Sequence, residues 1–224
     1  MKKYFLAALL ACASVLSGCI TVEFEEEPPV DNVIEGGGEI VDSIEDKVEV
    51  KWEATDSRDV CIFLTNNATE AIPYVEGKVL YKDSEGKTID IAEFYFNSVL
   101  AGSTVAHCAY AWDVTDEWET YEVTYTLNMD SDLGEKNHVA KCVVGSNVGD
   151  ENIIVEIKND SGVKLDEVEY VVVFYKEDQI VYAGYPEDRY EISIENGATY
   201  TGKVETRGNE YDRYEVYLNE ALEW

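Results

Sequence analysis

From residue 48 onward, apolar and polar residues alternate in short runs separated by turn residues. Val60, Ile62 and Leu64 share one face of one run, and Ile153, Val155 and Ile157 share one face of another. A period of two puts neighbouring side chains on opposite faces, so each run predicts a half-buried β-strand. Tyr121, Val123 and Tyr125 make a similar stripe, as do Tyr214, Val216 and Leu218. Between the runs stand Asn66-Asn67, Asp83-Ser84-Glu85-Gly86, Ala101-Gly102, Asn159-Asp160-Ser161-Gly162 and Asn196-Gly197. Asn, Asp and Gly accept tight turns, and Asn and Asp bond their own backbone there. No long amphipathic helix pattern interrupts the series. The expected fold is all-β, with antiparallel sandwiches built from short strands.

The pattern also repeats. Val60–Asn67 lines up with Ile153–Asp160 at an offset of 93, and Val79–Lys82 with Val173–Lys176 at 94. Ala101–Thr104 matches Asn196–Thr199 at 95, and Tyr121–Val123 matches Tyr214–Val216 at 93. Four blocks in one order with so little drift predict a duplicated domain. The expected division is a first sandwich over 48–130 and a second over 138–224.

The N-terminal part is of another kind. Lys2 and Lys3 precede an apolar stretch from Tyr4 to Leu16, and Leu16-Ser17-Gly18 ends it before Cys19. A positive start, an apolar core and small closing residues make a signal peptide over 1–18. The core is too short to cross a hydrocarbon layer of roughly 30 Å as a comfortable helix. The tetrapeptide Leu16-Ser17-Gly18-Cys19 resembles the bacterial lipobox. That resemblance implies recognition of Leu16, Ser17 and Gly18 by the signal peptidase, and a diacylglycerol on Cys19 as the link to the membrane. Residues 19–47 follow as an expected acidic linker, with Glu23, Glu25, Glu26, Glu27, Pro28-Pro29 and Gly36-Gly37-Gly38. Such a composition buries little, and a flexible chain of this length reaches about 30 Å. The alternation from Val33 to Ile44 could instead add an edge strand to the first sandwich.

An apolar strand ending in Asn, an apolar-Tyr hairpin, a Gly turn and a closing Tyr-x-Val strand resemble the FxLYD family of immunoglobulin-like domains. The resemblance covers most of 48–127 and, more clearly, 140–220. Lys82 and Lys176 stand where that family has its acid, with Asp83 and Glu177 one place later. It implies a sandwich fold and a place on the surface of a Gram-positive cell, and it brings no catalytic residues.

The chain has 17 basic and 47 acidic residues and a formal charge of −30. Removing 1–18 takes away Lys2 and Lys3 and no acid, leaving −32. Such a surface repels phosphate backbones and anionic headgroups, which excludes nucleic acid as a partner and keeps the domains off the membrane surface.

Candidate chemistry is sparse. His107 neighbours Cys108 in a strand, so the two point to opposite faces, and His138 falls between the domains. Both are expected to be packing or surface residues. Carboxylate pairs for glycoside hydrolysis cannot be chosen among so many acids, and small sandwiches seldom enclose a cleft that would tune one. Asn128–Glu135 alternates oxygen ligands in the manner calcium prefers, but its glycine is one place late and Val139 stands where an EF-hand has its glutamate. It reads as a polar connector, and no metal or cofactor is expected.

With Cys12 removed and Cys19 lipidated, Cys61, Cys108 and Cys142 remain. Immunoglobulin-like domains often bridge their sheets through the core. The inward stripe Val60, Ile62, Leu64 points Cys61 outward, however, and Cys108 aligns with Lys203, another outward position. A core disulfide is therefore not expected. Asn67-Ala68-Thr69 and Asn159-Asp160-Ser161 match a glycosylation acceptor, but their equivalent positions point to turn chemistry. Among the aromatics, Trp112, Trp118, Tyr182, Tyr185 and Tyr190 fall in or beside turns. Exposed on a rim, they could stack on sugars or enter a protein partner.

These features lead to a membrane-anchored, non-catalytic interaction or spacer module, with envelope proteins or wall glycan as partners. The alternatives are a wall- or carbohydrate-binding lipoprotein that uses the exposed aromatics and, from another class, a hydrolase or its accessory subunit.

Overall fold

A computed structural model of the chain describes residues 44–55, 58–111, 118–130 and 136–224. It is all-β. The first half carries β1 (Val48–Ala54), β2 (Val60–Asn66), β3 (Ile72–Lys82), β4 (Thr88–Val99), β5 (Thr104–Ala109) and β6 (Thr120–Asn128). The second carries β7 (Cys142–Val148), β8 (Asn152–Asn159), β9 (Glu167–Lys176), β10 (Gln179–Gly184), β11 (Thr199–Glu205) and β12 (Arg213–Leu222). Each half forms two antiparallel three-stranded sheets: β1-β2-β5 over β4-β3-β6, then β7-β8-β11 over β10-β9-β12. Strand for strand, the second topology copies the first. A 3-10 turn at Ile44–Lys47 precedes β1, and Ile44 packs on the first core, so the chain joins the sandwich just before the end expected for the linker.

The predicted stripes face the two cores. Val60, Ile62 and Leu64 meet Val75, Val79, Tyr81 and Phe94 in the first. Ile153, Val155 and Ile157 meet Tyr170, Val172 and Phe174 in the second. Full burial of one such side chain contributes about 1.5–3 kcal/mol.

Register corrects the alignment of the hairpin strand. Tyr81 lies opposite Tyr121 and Val79 opposite Val123, whereas Phe174 lies opposite Tyr214 and Val172 opposite Val216. The counterpart of Tyr81 is thus Phe174, and the offset stays at 93 where the sequence match suggested 94. One residue matters here because it exchanges the two faces of β9.

Asn66 and Asn159 do more than end strands. Both are buried. The Asn66 Nδ2 donates to the Glu70 and Val99 carbonyls at 2.8 and 2.9 Å, and its Oδ1 accepts from the Ala68 N–H at 2.9 Å. Asn159 makes the same three contacts, to Val163, Ile194 and Ser161. Its carbonyl also accepts from Gly197, as that of Asn66 accepts from Gly102. Both glycines have positive φ, the conformation that frees each turn to close on its asparagine.

Candidate functional site: the seam between the sandwiches

The outer face of β1-β2-β5 lies on the outer face of β10-β9-β12, so the four sheets stack as consecutive layers. Alternation along β2 and β5 that sends Ile62 and Val105 to the first core sends Cys61, Phe63, Ala106 and Cys108 the other way. There they meet Val171, Val173, Tyr175, Ile180 and Ala183. Val171 and Val173 are fully buried, as are Val172 and Phe174 on the opposite face of the same strand. The Phe63 and Tyr217 rings pack with centroids 5.6 Å apart.

Cys61 and Cys108 form a disulfide. Both point away from the core, as expected, and the bond they make lies outside it. The bond does not span the sandwich. It joins directly opposed positions of the neighbouring strands β2 and β5, with Cα atoms 4.1 Å apart. Opposed residues of an antiparallel pair that do not bond each other's backbone come this close. Outward proved not to mean exposed, because the second sandwich covers the bond. Among the described residues Cys142 is the free cysteine, half-buried, with burial pushing its thiol up to about 11.

Polar groups fasten the seam's edges. A bulge between Leu218 and Glu220 leaves Asn219 without a partner on β9. Its amide turns to β5 instead: Nδ2 donates to the Ala106 carbonyl at 2.8 Å and Oδ1 accepts from the Ala106 N–H at 3.0 Å. This side chain completes the open edge of β5 as a neighbouring strand would. The Tyr185 hydroxyl accepts from the Cys108 N–H at 2.9 Å on the same edge. Asn137, between the domains, donates to the Ser98 carbonyl at 2.8 Å and accepts from the Ala221 N–H at 3.2 Å.

Beside Asn219, Glu220 lies directly opposite Glu169. Glu220 is only 4% exposed. Burial first, and the Glu169 charge second, push its carboxyl up to about 8, so it keeps a proton at neutral pH. Glu169 is also raised by burial, and it accepts from Asn219 Nδ2 at 3.0 Å. The protonated carboxyl lets two like groups share the seam. His107 sits nearby against Phe94, Phe96 and Tyr185. Burial, helped by the Arg189 charge, lowers it to about 4, so it is neutral.

The expected binding aromatics divide differently. Trp118 is buried against Tyr81 and Tyr121, with Arg58 over its ring at 4.5 Å. Tyr182 is buried in the second core, stacked on Phe174 at 5.6 Å. Tyr185 packs in the seam with Arg189 over its ring at 4.7 Å. None of the three stands on an open rim, since each fills a space the duplicated fold creates. Trp112 lies outside the described residues, as do Leu16, Ser17, Gly18, Cys19 and the second half of Asn128–Glu135. Among the described residues Tyr190 and Tyr95 are the tyrosines most open to solvent, at 71% and 50%. Tyr95 borders a concavity of about 420 Å³ on the β4-β3-β6 face, with Tyr74, Glu76, Lys78, Glu93 and Thr126. Its alternation with inward Phe94 and Phe96 was readable, but nothing in its neighbours set it above other tyrosines. Among the described residues no cluster of three or more His, Cys, Asp or Glu could hold a metal ion.

No family model matches the chain, and no curated protein matches it. Among solved structures it is similar to the exo-chitosanase CsxA of Amycolatopsis orientalis, at 15% identity and a TM-score of 0.25. That match covers 78% of this chain and 26% of the other. It is similar also to red sea bream transglutaminase, at 7% identity and a TM-score of 0.25, covering 78% and 27%. The chain thus spans about a quarter of each of these proteins. Similarity at that level carries no argument about activity.

Proposed function

We propose that this protein is an envelope lipoprotein, anchored by lipid on Cys19, whose two FxLYD-like domains act as one stiff, non-catalytic interaction or spacer unit. The observation that carries this reading is the apolar seam. Val171 and Val173 are wholly covered by the first sandwich, so independent tumbling of the domains would expose them to water. The lipobox supplies the anchor and the acidic linker supplies the stand-off. No described helix is long and apolar enough to cross a membrane. Asn219, Tyr185 and Asn137 each bond backbone across the seam, the arrangement of a joint. Metabolic labelling with a fatty acid tests the anchor: the wild-type chain takes up label and Cys19→Ala does not. Label on both, or on neither, refutes lipidation at Cys19.

A glycan-binding role is the second reading, and it is favoured by the concavity beside Tyr95. Aromatic and polar groups together there suit a sugar face. Retention on purified sacculi that survives moderate salt and is lost in Tyr95→Ala would support it, whereas equal retention by the variant would remove it.

A further inference from the structure

The open edge of the second outer sheet differs from that of the first. β1 and β7 occupy the same place in their sandwiches, each pairing only with the strand that follows. The outward positions of β1 are Glu49, Lys51 and Glu53, charges that discourage another strand from adding there. β7, Cys142-Val-Val-Gly-Ser-Asn-Val148, has no charge and no proline. Val143, Val144 and Val148 are three of the eight large apolar residues that stand exposed among the described residues. The backbone there is also unsatisfied. The Lys141 carbonyl accepts from the Asp160 N–H, and antiparallel alternation then turns Val143, Gly145 and Asn147 toward β8. The N–H and C=O groups of Val144, Ser146 and Val148 face outward, and no described residue bonds them.

We propose that β7 is a self-association edge, pairing antiparallel with β7 of a second copy about a two-fold axis near Gly145 and Ser146. Charge selects a second copy over another occupant. A chain this acidic can approach itself only where carboxylates do not meet, and β7 is uncharged along its whole length. The two-fold also brings Lys141, at one end of β7, beside the Asp150–Glu151 turn of the other copy, and does so twice. The result is a continuous six-stranded sheet with no heterologous end left to propagate.

The test is disulfide trapping of the full chain in producing cells, with Cys142→Ser as background and copper–phenanthroline as oxidant. Ser146→Cys or Gly145→Cys is introduced at the expected axis, where a side chain on Gly145 meets open space. Thr201→Cys on β11 measures chance collision. The expected result is a homodimer band for an axis variant at several times the Thr201→Cys yield. Adding Val144→Pro should abolish the band, because its N–H serves only the open edge. Should that variant fold poorly, Val148→Lys should abolish it by opposing like charges. Yields no greater than for Thr201→Cys, trapping to a different protein alone, or a homodimer band that survives both edge variants would overturn the proposal.

Discussion

β3 and β9 are the same strand of two copies of one domain, and they live in different surroundings. Their inward faces match: Val79 and Tyr81 in one, Val172 and Phe174 in the other. Their outward faces do not. β3 shows Glu76 and Lys78 to solvent, while β9 shows Val171 and Val173 to the first sandwich. The contrast recurs one layer away. β2 and β5 turn Cys61, Phe63 and Cys108 into the seam, where β8 and β11 turn Glu156, Lys158 and Lys203 to solvent. The two sandwiches share the arrangement of their cores. What differs is the pair of faces by which the copies meet.

The largest effect should come from exchanging those faces. Val171→Lys places an ammonium in a dry seam and should cost several kcal/mol, read by denaturant unfolding. The substitution should also separate one unfolding transition into two, because the joint fails before either core. The reverse exchange, Lys78→Val on β3, should change stability by less than about 0.5 kcal/mol.

Next is the bond that only the first copy has. Replacing Cys61 and Cys108 together by Ala frees the loop between them in the unfolded chain and removes buried sulfur from the seam. The loss should be about 2–4 kcal/mol. Asn66→Ala and Asn159→Ala should each cost on the order of 2 kcal/mol, since each strips one buried and one partly buried carbonyl of its donor. These two should match within error, as they probe what the copies share; a marked inequality would show that the cores are not equivalent.

A smaller effect separates the seam by pH. Glu220 binds its proton more tightly folded than unfolded, so its contribution is favourable at low pH and is lost as pH rises from its ordinary value of 4.5 through about 8. His107 acts on the other side: it is neutral when folded, so acidification from its ordinary value of 6.5 toward about 4 favours the unfolded chain. Thermal melts of Glu220→Gln should lie above wild type at pH 8.5 and lose the fall between pH 6.5 and 8.5. An unchanged slope there would assign that fall to other groups.

The parts of this structure legible in sequence are those set by alternation. Both cores, the two-sheet architecture and the asparagine turns follow from Val60 to Asn66 and their counterparts. The phase of β9 did not, because Val171-Val172-Val173-Phe174-Tyr175 has no polar residue to mark a face. A run like that is the mark of a strand buried on both sides, and it was the available clue to the seam. The outward direction of Cys61 and Cys108 was readable, but their bonding was not, since it depends on strand neighbours and on what covers them. Glu220 is one acid among 47, and only the bulge at Asn219 and the facing Glu169 set it apart. Trp118, Tyr182 and Tyr185 lie near turns in the sequence, yet rings near turns also close the ends of a core.

The central claim is that the two sandwiches form a single stiff unit. Its most direct test is a distance distribution by double electron–electron resonance, with spin labels on the two outermost sheets. Lys78→Cys on β3 and Glu156→Cys on β8, both exposed, serve in a Cys142→Ser background. Sheets stack roughly 10 Å apart, so four layers predict one narrow peak near 30 Å plus the length of the labels. Val171→Lys should broaden that peak. A broad or multiple distribution in the otherwise unaltered chain would contradict the account, leaving two domains on a hinge.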